Sequence, residues 1–371
     1  MPFVLVPLLV GSWVYCLLIL VAARKYIAVR PPSLSAVEGV SILKPWSGLD
    51  EGLEDNLRSF FTQEYALFEI LFAVRQESDG AVPVVRKLQA EYPGVASRLL
   101  IVGEPPYPNA KVWSLEQMMA VASHDLLVMA DSDMRVGPDL LRVTAAEFAA
   151  DPKLGVATCP YRAIAGASLW SRLEAVGMNT EFFGGVLVAR MLEGVKFALG
   201  PTIVARKRCL QAIGGWDRLN RYLAEDFVMG NFAAEAGWNV ILSSYVVEHR
   251  IGSESFAKNT AHRVRWARST RRSRPAGYIG QVFTNPLPIA LLAVAVAPRM
   301  WPFLLPMTLL LRGFAAQTVA GDVLRAPVGW LLLGFQDILS FVFWIAGFFG
   351  NTIEWRGGRY KLHSDGTFTP D

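Results

Sequence analysis

The stretch Leu126-Leu127-Val128-Met129-Ala130-Asp131-Ser132-Asp133 decides the fold of this chain. A short apolar run of this kind is typical of a buried strand in a parallel sheet. Two aspartates separated by one residue follow the run at once, so the strand delivers them at its carboxyl end. Carboxylate oxygens are the ligands that Mg²⁺ and Mn²⁺ prefer. The stretch therefore predicts a divalent metal site at Asp131 and Asp133, and the alternative is a simple turn at the strand end.

The sequence before this stretch alternates between strand and helix patterns. Strands are predicted at 40–43, 69–74 and 98–102, and helices at 50–61, 81–92 and 109–123. Alternation of this kind predicts an α/β fold with a parallel sheet and crossover connections. Ligands of such sheets bind beyond the carboxyl ends of the strands. We therefore expect one edge of the sheet to carry Lys44, Asp79, Asp131 and Asp133.

A second acidic pair lies further along the chain, at the start of a helix predicted over 223–236. A carboxylate within hydrogen-bonding reach of an attacking hydroxyl can serve as its general base. Asp226 is the candidate for this base, with Glu225 beside it. The alternative is that both acids simply favour the positive end of the helix dipole. Gly237 is placed to end this helix, and the β-branched residues of 240–247 predict a strand.

The segment 263–274 combines a tryptophan with many arginines. A guanidinium offers a planar set of donors for a diphosphate, and an indole offers an apolar face for a ring, so we single out Arg265 and Trp266. Because an apolar third of the chain follows, a helix at the membrane surface is favoured over a solvated basic face. The aromatic-rich stretch 168–199 is either a core helix or a helix lying in the membrane plane.

The composition indicates a membrane protein. Of the 371 residues, 53% are hydrophobic and only 18% are charged, and the apolar surplus lies at the two ends of the chain. An ordinary soluble domain carries more charge. The net charge of +4 is too small to indicate a nucleic-acid partner. Cys16, Cys159 and Cys209 show no metal-binding spacing, and they favour a reducing compartment over a disulfide framework.

The N-terminal apolar run, residues 3–23, is long enough to cross a bilayer. No Lys or Arg precedes the run, which a cleaved signal peptide would need, so we expect a retained anchor. Arg24, Lys25 and Arg30 follow it. The positive-inside rule then places the N-terminus outside and the chain from residue 24 onward in the cytosol.

Three further apolar stretches, 286–298, 300–320 and 328–350, follow residue 285. The first is too short for a confident span and is predicted to be re-entrant. Arg312 and Asp337 lie inside the other two, where an ionisable group is costly. We expect them to pair or to lie near an acceptor channel, and the alternative is that Arg312 reaches the membrane interface. The predicted organisation is an anchor (1–24), a cytosolic α/β domain (38–280), a C-terminal membrane region (281–355) and a cytosolic tail (356–371).

Together these motifs resemble the membrane-bound, processive-type family-2 glycosyltransferases. The resemblance is closest to the ceramide glucosyltransferases of family 21 and the bacterial hopanoid-associated glycosyltransferases, and it covers residues 41–360. The segments that carry it are Ser41-Ile42-Leu43-Lys44-Pro45, Asn109-Ala110-Lys111-Val112, Asp131-Ser132-Asp133, Ile213-Gly214-Gly215, Leu223-Ala224-Glu225-Asp226, Arg265-Trp266-Ala267-Arg268 and Trp355-Arg356-Gly357-Gly358-Arg359-Tyr360.

The resemblance implies a GT-A fold, the fold of nucleotide-diphospho-sugar transferases, with transmembrane helices at both ends. It implies a UDP-sugar donor, Mg²⁺ or Mn²⁺, a membrane lipid acceptor and inversion by single displacement. The implied location is a bacterial inner membrane with the catalytic domain in the cytosol. The implied site residues are Lys44, Asp79, Lys111, Asp131, Arg265 and Trp266 for the donor, Asp131 and Asp133 for the metal, Asp226 as base, and Glu225 and His262 on the acceptor side. His262 departs from the Gln or Arg that the family carries at that position.

Three functions stay open at this point. The first is transfer of a sugar, glucose by preference, to ceramide. The second is transfer of N-acetylglucosamine to a hopanoid polyol, since residues 168–173 and 272–278 look similar to the hopanoid branch. The third is a non-catalytic membrane scaffold with a GT-A fold, which the intact Asp131, Asp133 and Asp226 argue against.

Overall fold

The computed structural model of the chain describes residues 2–355 and 358–371. Arg356 and Gly357, which belong to the predicted tail and its motif, lie outside the described residues. The strands are β1 (Val40–Pro45), β2 (Phe68–Val74), β3 (Ala96–Ile101), β4 (Leu126–Ala130), β5 (Met134–Arg135), β6 (Leu154–Thr158), β7 (Tyr161–Ile164), β8 (Thr202–Arg206), β9 (Asn239–Leu242), β10 (Val247–Arg250), β11 (Thr352–Trp355), β12 (Gly358–Leu362) and β13 (Phe368–Pro370).

The helices alternate with these strands and continue beyond them. They are α1 (Pro2–Ile27), α2 (Leu53–Phe61), α3 (Ala81–Glu91), α4 (Ala110–Val121), α5 (Leu140–Ala150), α6 (Leu169–Gly177), α7 (Phe183–Glu193), α8 (Lys207–Ala212), α9 (Gly215–Leu219), α10 (Glu225–Glu235), α11 (Phe256–Ser273), α12 (Pro275–Gly280), α13 (Pro286–Val296), α14 (Trp301–Ala316) and α15 (Trp330–Ala346). Two π-helical segments, Met178–Phe182 and Gln317–Val323, follow α6 and α14.

A seven-stranded sheet with the order β3-β2-β1-β4-β8-β6-β9 forms the centre of the α/β domain. The first four strands are parallel, which confirms the prediction from the alternating pattern. Strand β8 runs antiparallel between β4 and β6. Because side chains alternate along a strand, Ile42 and Val128 face the core formed with α2, α3 and α5. Leu43 and Met129 face the opposite core, formed with α4 and α8–α10.

The strand predicted over 240–247 is two strands in two different sheets. Strand β9 belongs to the central sheet, whereas β10 lies between β5 and β7 in a small second sheet. The chain leaves the first sheet at Ser243, whose hydroxyl donates to Glu147 over 2.8 Å. The backbone N–H of Ser244 donates to the same carboxylate over 2.7 Å. This buried acceptor satisfies the polar groups of the turn, and a pattern of apolar residues cannot reveal it.

Helix α1, at the start of the chain, packs against the apolar helices α13 and α14, which follow the α/β domain in sequence. Within the described residues, two helices, Val4–Ile27 and Pro298–Val323, are long and apolar enough to span a membrane. The pair Pro275–Thr284 and Pro286–Val296 bends by 62°, which fits either a broken span or the predicted re-entrant segment. The stretch 168–199 forms α6, a π segment and α7, and Phe183 and Val186 of α7 pack against α1.

Arg312 and Asp337 form a buried ion pair between α14 and α15. The guanidinium Nη2 lies 2.8 Å from Asp337 Oδ1, and it also donates to the hydroxyl of Thr180 over 2.9 Å. Both charged residues are almost completely buried. The predicted pairing is therefore confirmed, and the alternative, in which Arg312 reaches the interface, is wrong.

Three arginines of α11, Arg268, Arg271 and Arg272, donate hydrogen bonds to residues just after α15. Arg268 donates to the carbonyl oxygen of Phe349 over 3.0 Å, and Arg271 donates to that of Gly350 over 2.8 Å. Arg271 and Arg272 also donate to the side chain of Asn351. These contacts lie just beyond the C-terminal end of α15, where helix carbonyls need donors and a positive charge is favourable.

The predicted tail is folded over its described residues. Strands β11, β12 and β13 form an antiparallel sheet. Ile353, Leu362 and Phe368 of this sheet pack together with Leu223, which lies just before α10. The backbone N–H of Phe368 also donates to the carbonyl oxygen of Arg221 over 3.2 Å. The C-terminal sheet therefore holds the loop that leads into the Glu225-Asp226 pair.

Candidate active site

The carboxyl ends of β1 and β4 bring Lys44 and Asp131 together. Lys44 is fully buried, and its ammonium group donates to the backbone carbonyl oxygen of Asp131. The same ammonium group lies 4.1 Å from the centre of the Phe60 ring. Burial lowers the pKa of Lys44 to about 7, although the nearby Asp131 and Asp133 oppose this shift. Lys44 therefore fixes the end of β4 and places a titratable cation beneath the Asp-x-Asp motif.

Lys111 is the cation that links both acidic pairs. Its ammonium group lies 2.7 Å from Asp131 Oδ1 and 3.4 Å from Glu225 Oε1. Burial would lower the pKa of Lys111, but Asp131, Glu225 and Asp226 together raise it above its ordinary value. Asn109 caps the start of α4, since its side chain accepts from the backbone N–H of Val112 over 3.2 Å. The helix start thus sets the position of a lysine that stays charged.

Asp226 lies at the start of α10 in a crowded, partly buried position. Burial raises the pKa of its carboxyl group to about 7, with a further rise from Glu225 and an opposing effect of Lys111. Room for this carboxyl group depends on Gly200, where an added Cβ would lie 2.8 Å from Asp226 Oδ2 and 3.6 Å from the Lys111 ammonium group. A carboxyl group with a pKa near neutrality is suited to accept a proton in a reaction.

Glu225, by contrast, is buried and turned toward its neighbours inside the protein. Asn109 donates to Glu225 Oε2 over 3.3 Å, and Lys111 approaches the other carboxylate oxygen. These contacts make Glu225 a positioning residue between α4 and α10. Its predicted place on the acceptor side stays a prediction.

Asp133 is held by a histidine that the sequence analysis did not find. Asp133 Oδ2 lies 3.0 Å from His249 Nε2, and His249 is almost fully buried on β10. Burial opposes the charged form of both groups, but their mutual attraction lowers the pKa of Asp133 and raises that of His249. Asp133 Oδ1 and His249 Nδ1 are buried and have no hydrogen-bond partner among the described residues. An uncommitted oxygen of this kind can bind a cation.

Asp79 lies in the loop after β2 and organises the neighbouring loop after β1. Its Oδ1 accepts from the backbone N–H of Ala81 over 2.9 Å, at the start of α3. Its Oδ2 accepts from the backbone N–H of Gly48 over 3.0 Å. The side chain therefore joins two loops at the edge of the sheet where Lys44 and Asp131 also lie.

Trp266 and His262 lie one helical turn apart on α11. Their ring centres are 4.5 Å apart, and Trp266 also contacts Phe182, with ring centres 6.3 Å apart. Trp266 packs against the core of the α/β domain. His262 Nδ1 lies 3.1 Å from Glu174 Oε1 on α6. The structure thus places the predicted Trp266 and His262 between α6 and α11, on helices that adjoin the membrane region.

The structure groups the predicted residues by direct contact. Lys44, Lys111, Asp131 and Glu225 form one connected set, and electrostatic coupling adds Asp133 and Asp226. Gly200 and His249 were not predicted from the sequence. Gly200 could have been sought as a small residue before β8, but nothing local in the sequence pairs His249 with Asp133. Carboxylates outnumber cations here, and burial and Asp133 raise the pKa of Asp131.

The fold and the site together define the class of protein. A mostly parallel sheet with an Asp-x-Asp at the end of β4, a separate acid on α10 and flanking apolar helices is the architecture of a membrane glycosyltransferase with a GT-A fold. The chain belongs to glycosyl transferase family 21, whose profile matches residues 4–368.

Relatives and solved structures agree with this assignment. The chain is 30% identical over 208 residues to ceramide glucosyltransferase 1 of Caenorhabditis elegans, covering 56% of this chain and 44% of the relative. It is 24% identical over 349 residues to ceramide glucosyltransferase 3 of the same organism, covering 91% and 75% of the two chains. The mannosyltransferase PcManGT from Pyrobaculum calidifontis, solved with GDP-Man and Mn²⁺, has a TM-score of 0.54 at 17% identity over 93% of this chain and 97% of its own. This likeness confirms the GT-A fold.

Proposed function

We propose that this protein is an inverting glycosyltransferase that moves a sugar, with glucose preferred, from a UDP-sugar to the hydroxyl group of a membrane lipid, with ceramide preferred. The carboxyl group of Asp226 carries this proposal. Burial raises its pKa to about 7, and it shares Lys111 with the Asp131 end of the sheet. Single displacement at a sugar carbon needs a general base close to the bound diphosphate. A carboxyl group with a pKa near neutrality, coupled through Lys111 to the edge that would bind the diphosphate, suits this role.

In the proposed reaction the acceptor hydroxyl oxygen attacks the anomeric carbon and its proton moves to Asp226. The bond between that carbon and the diphosphate oxygen breaks, and UDP leaves with the electron pair. Because the hydroxyl attacks on the face opposite the departing UDP, the configuration inverts. Lys44 and Lys111 place positive charge next to the diphosphate, and the guanidinium of Arg265 adds donors to it. Asp79 holds the two loops that would enclose the nucleotide, and Trp266 offers an apolar face beside the sugar.

We also propose that Asp131 and Asp133 hold Mg²⁺ or Mn²⁺. The residues fit such an ion, because Asp133 Oδ1 is buried without a hydrogen-bond partner among the described residues and carboxylate oxygens suit hard cations. The ion would neutralise the charge that develops on the departing diphosphate. Chelation should abolish turnover, and Mg²⁺ or Mn²⁺ should restore it. Full turnover in excess chelator would remove the metal from the proposal.

The decisive experiment pairs two donors with two acceptors. Membranes containing the protein are incubated with radiolabelled UDP-glucose or UDP-N-acetylglucosamine and with ceramide or a hopanoid polyol. Transfer of glucose to ceramide supports the preferred reaction, and transfer of N-acetylglucosamine to the hopanoid would replace it with the second. The Asp226→Asn variant is the control, since it should bind UDP-sugar without transferring it. Donor binding without transfer to any lipid in the wild-type protein would point to the scaffold.

We propose further that the catalytic domain faces the cytosol of a bacterial inner membrane. Arg24 and Lys25 lie in the last turn of α1, which supports this orientation by the positive-inside rule. All three native cysteines are buried, so an added thiol at the exposed Ser78 would be selectively accessible. A membrane-impermeant thiol reagent should label Ser78→Cys in permeabilised cells and not in intact ones. Equal labelling in intact spheroplasts would reverse the orientation.

A further inference from the structure

Three titratable side chains that belong to no part of the donor site converge beneath Trp266. They are Glu174 on α6, Glu254 in the loop before α11, and His262 on α11. One carboxylate oxygen of each glutamate and one ring nitrogen of the histidine all lie within 4.8 Å of one another. Three separate parts of the chain therefore each contribute one possible metal ligand to a single point.

Two carboxylate oxygens of these residues are buried without a hydrogen bond. Glu174 is 4% exposed. Neither its Oε1 nor Glu254 Oε2 has a hydrogen-bond partner among the described residues. His262 Nδ1 lies 3.1 Å from Glu174 Oε1, but the two atoms are not aligned for a hydrogen bond. A buried carboxylate oxygen without a donor is costly unless something else satisfies it.

The electrostatics of the cluster favour a bound cation. Two carboxylates at this spacing repel each other, and the third member of the cluster, His262, is charged only when it is protonated. A dication between them would remove the repulsion and fill the vacant acceptor positions.

The protein also holds the ligands in place from behind. The Asn259 side chain, which is almost completely buried, donates to Glu174 Oε2 and so leaves Oε1 directed at the cluster. Two hydrogen bonds tie the loop that carries Glu254 to the residues just before α6. Gly166 N–H donates to the Gly252 carbonyl oxygen over 3.1 Å, and Ala167 N–H donates to the Ser253 hydroxyl over 2.8 Å. Such supporting contacts are typical of metal sites.

We propose that Glu174, Glu254 and His262 form a zinc site, separate from the metal held by Asp131 and Asp133. One imidazole nitrogen with two carboxylate oxygens suits Zn²⁺ better than Mg²⁺, which prefers oxygen ligands and retains water. Zinc binds such atoms at about 2.0–2.2 Å, so the farthest pair of ligands would approach by roughly 1 Å on binding. Rotation of the partly exposed Glu254 and His262 side chains accomplishes this.

The consequence of this site is a fixed position for Trp266. Zinc would join α6, the loop 251–255 and α11, and it would orient the His262 ring that contacts the Trp266 indole at 4.5 Å. Trp266 is one residue from Arg265, so the ion would act as a structural tie behind the proposed sugar-binding face. This consequence rests on the proposed function, whereas zinc binding itself does not.

The test measures zinc directly. The parent for this test carries Asp131→Asn and Asp133→Asn, which remove the donor metal site. This protein is purified in detergent, stripped with chelator, loaded with ZnCl₂ and desalted. Elemental analysis should find about one zinc ion per chain. His262→Gln in this background removes the nitrogen ligand and nearly keeps the shape, so affinity should fall by at least about tenfold. His363→Gln, at a half-buried histidine just after β12, is the matched control and should retain the zinc.

A second measurement keeps the result interpretable if a variant folds poorly. Co²⁺ in place of Zn²⁺ should give visible absorption bands in the protein with native Glu174, Glu254 and His262, and zinc should raise its melting temperature. Excess Mg²⁺ should not compete. The proposal is overturned if the parent protein retains no zinc, or if His262→Gln and Glu254→Gln bind it as tightly as the parent. Absence of glycosyl transfer in the wild-type protein, with zinc binding intact, would refute the proposed function and leave this site standing.

Discussion

Replacing Asp226 by asparagine should lower turnover and, above neutral pH, make the protein more stable. The amide keeps the shape of the carboxyl group but cannot accept the proton of the acceptor hydroxyl. General-base catalysis contributes about 10²–10⁴-fold, so turnover should fall by that factor while UDP-sugar binding persists. The gain in stability arises because the same burial that tunes Asp226 also destabilises its charged form.

The magnitude follows from the pKa of Asp226. Folding raises it from 3.8 to about 7, a shift of roughly three units. Each unit corresponds to about 1.4 kcal/mol, which gives an upper limit of about 4 kcal/mol. Because Asp226 is partly exposed and coupled to Glu225 and Lys111, we expect about 2–4 kcal/mol and a rise of a few degrees in melting temperature.

The sign of the pH dependence is fixed by the direction of this shift. Below about pH 4 the carboxyl group is protonated in both folded and unfolded chains, so wild type and variant should have equal stability. Between pH 4 and 7 the unfolded chain loses its proton first, and wild-type stability falls relative to the variant. Above pH 7 the difference is constant. Wild-type kcat/KM should rise over the same region, with an apparent pKa near 7 in the free enzyme.

The assay compares turnover and melting temperature at pH 5 and pH 8, without nucleotide or metal for the melting curves. Asp217→Asn, which removes an exposed acid on α9, is the matched control and should change neither quantity. Near-wild-type turnover in Asp226→Asn would move the base elsewhere. A stability difference that is the same at both pH values would refute the assigned titration.

Three further changes test the packing around the site. Gly200→Ala should lower kcat at least about tenfold with little loss of stability, because the new Cβ displaces the Asp226 carboxyl group; saturation kinetics measure this. Arg312→Met should destabilise the protein by about 3–5 kcal/mol, since it leaves Asp337 buried and unpaired, and adding Asp337→Leu should recover much of the loss in melting temperature. Phe368→Ala should loosen the C-terminal sheet and speed hydrogen exchange in the loop before α10, with a fall in kcat.

Gly200→Ala and Phe368→Ala each have a control within the chain, and the double variant at Arg312 and Asp337 serves for Arg312→Met. Gly280→Ala adds a methyl group into open space and should leave kcat unchanged. Thr369→Ala removes an exposed side chain next to Phe368 and should leave hydrogen exchange as it is. Unchanged kcat in Gly200→Ala, a double variant at Arg312 and Asp337 no more stable than the single one, or unchanged exchange in Phe368→Ala would each contradict the corresponding argument.

The sequence by itself determined the features that depend on local pattern. The apolar run 126–130 must be buried, so it forms β4, and the residues that follow it must lie at the edge of the sheet. Two helix ends are set for equally local reasons. Asn109 begins α4 by capping it with its side chain, and Gly237 ends α10 because it adopts a positive φ of 83°. The pairing of Arg312 with Asp337 was also foreseeable, because two opposite charges in apolar helices have few other ways to be satisfied.

Only the tertiary structure decided which distant residues meet. The chain leaves the central sheet after β9, and the next strand, β10, pairs with β5, which brings His249 next to Asp133. The apolar pattern of the sequence does not show which strand β10 will pair with. Arg268, Arg271 and Arg272 of α11 donate to groups just beyond the end of α15, a pairing that the sequence pattern does not show, and the role of this segment at the membrane surface stays a prediction. Gly200 could be picked out as a small residue before β8, but only the structure shows that a side chain there would collide with the Asp226 carboxyl group. Patterns report whether a residue is buried, whereas the partner that satisfies a buried charge is chosen by packing between elements far apart in sequence.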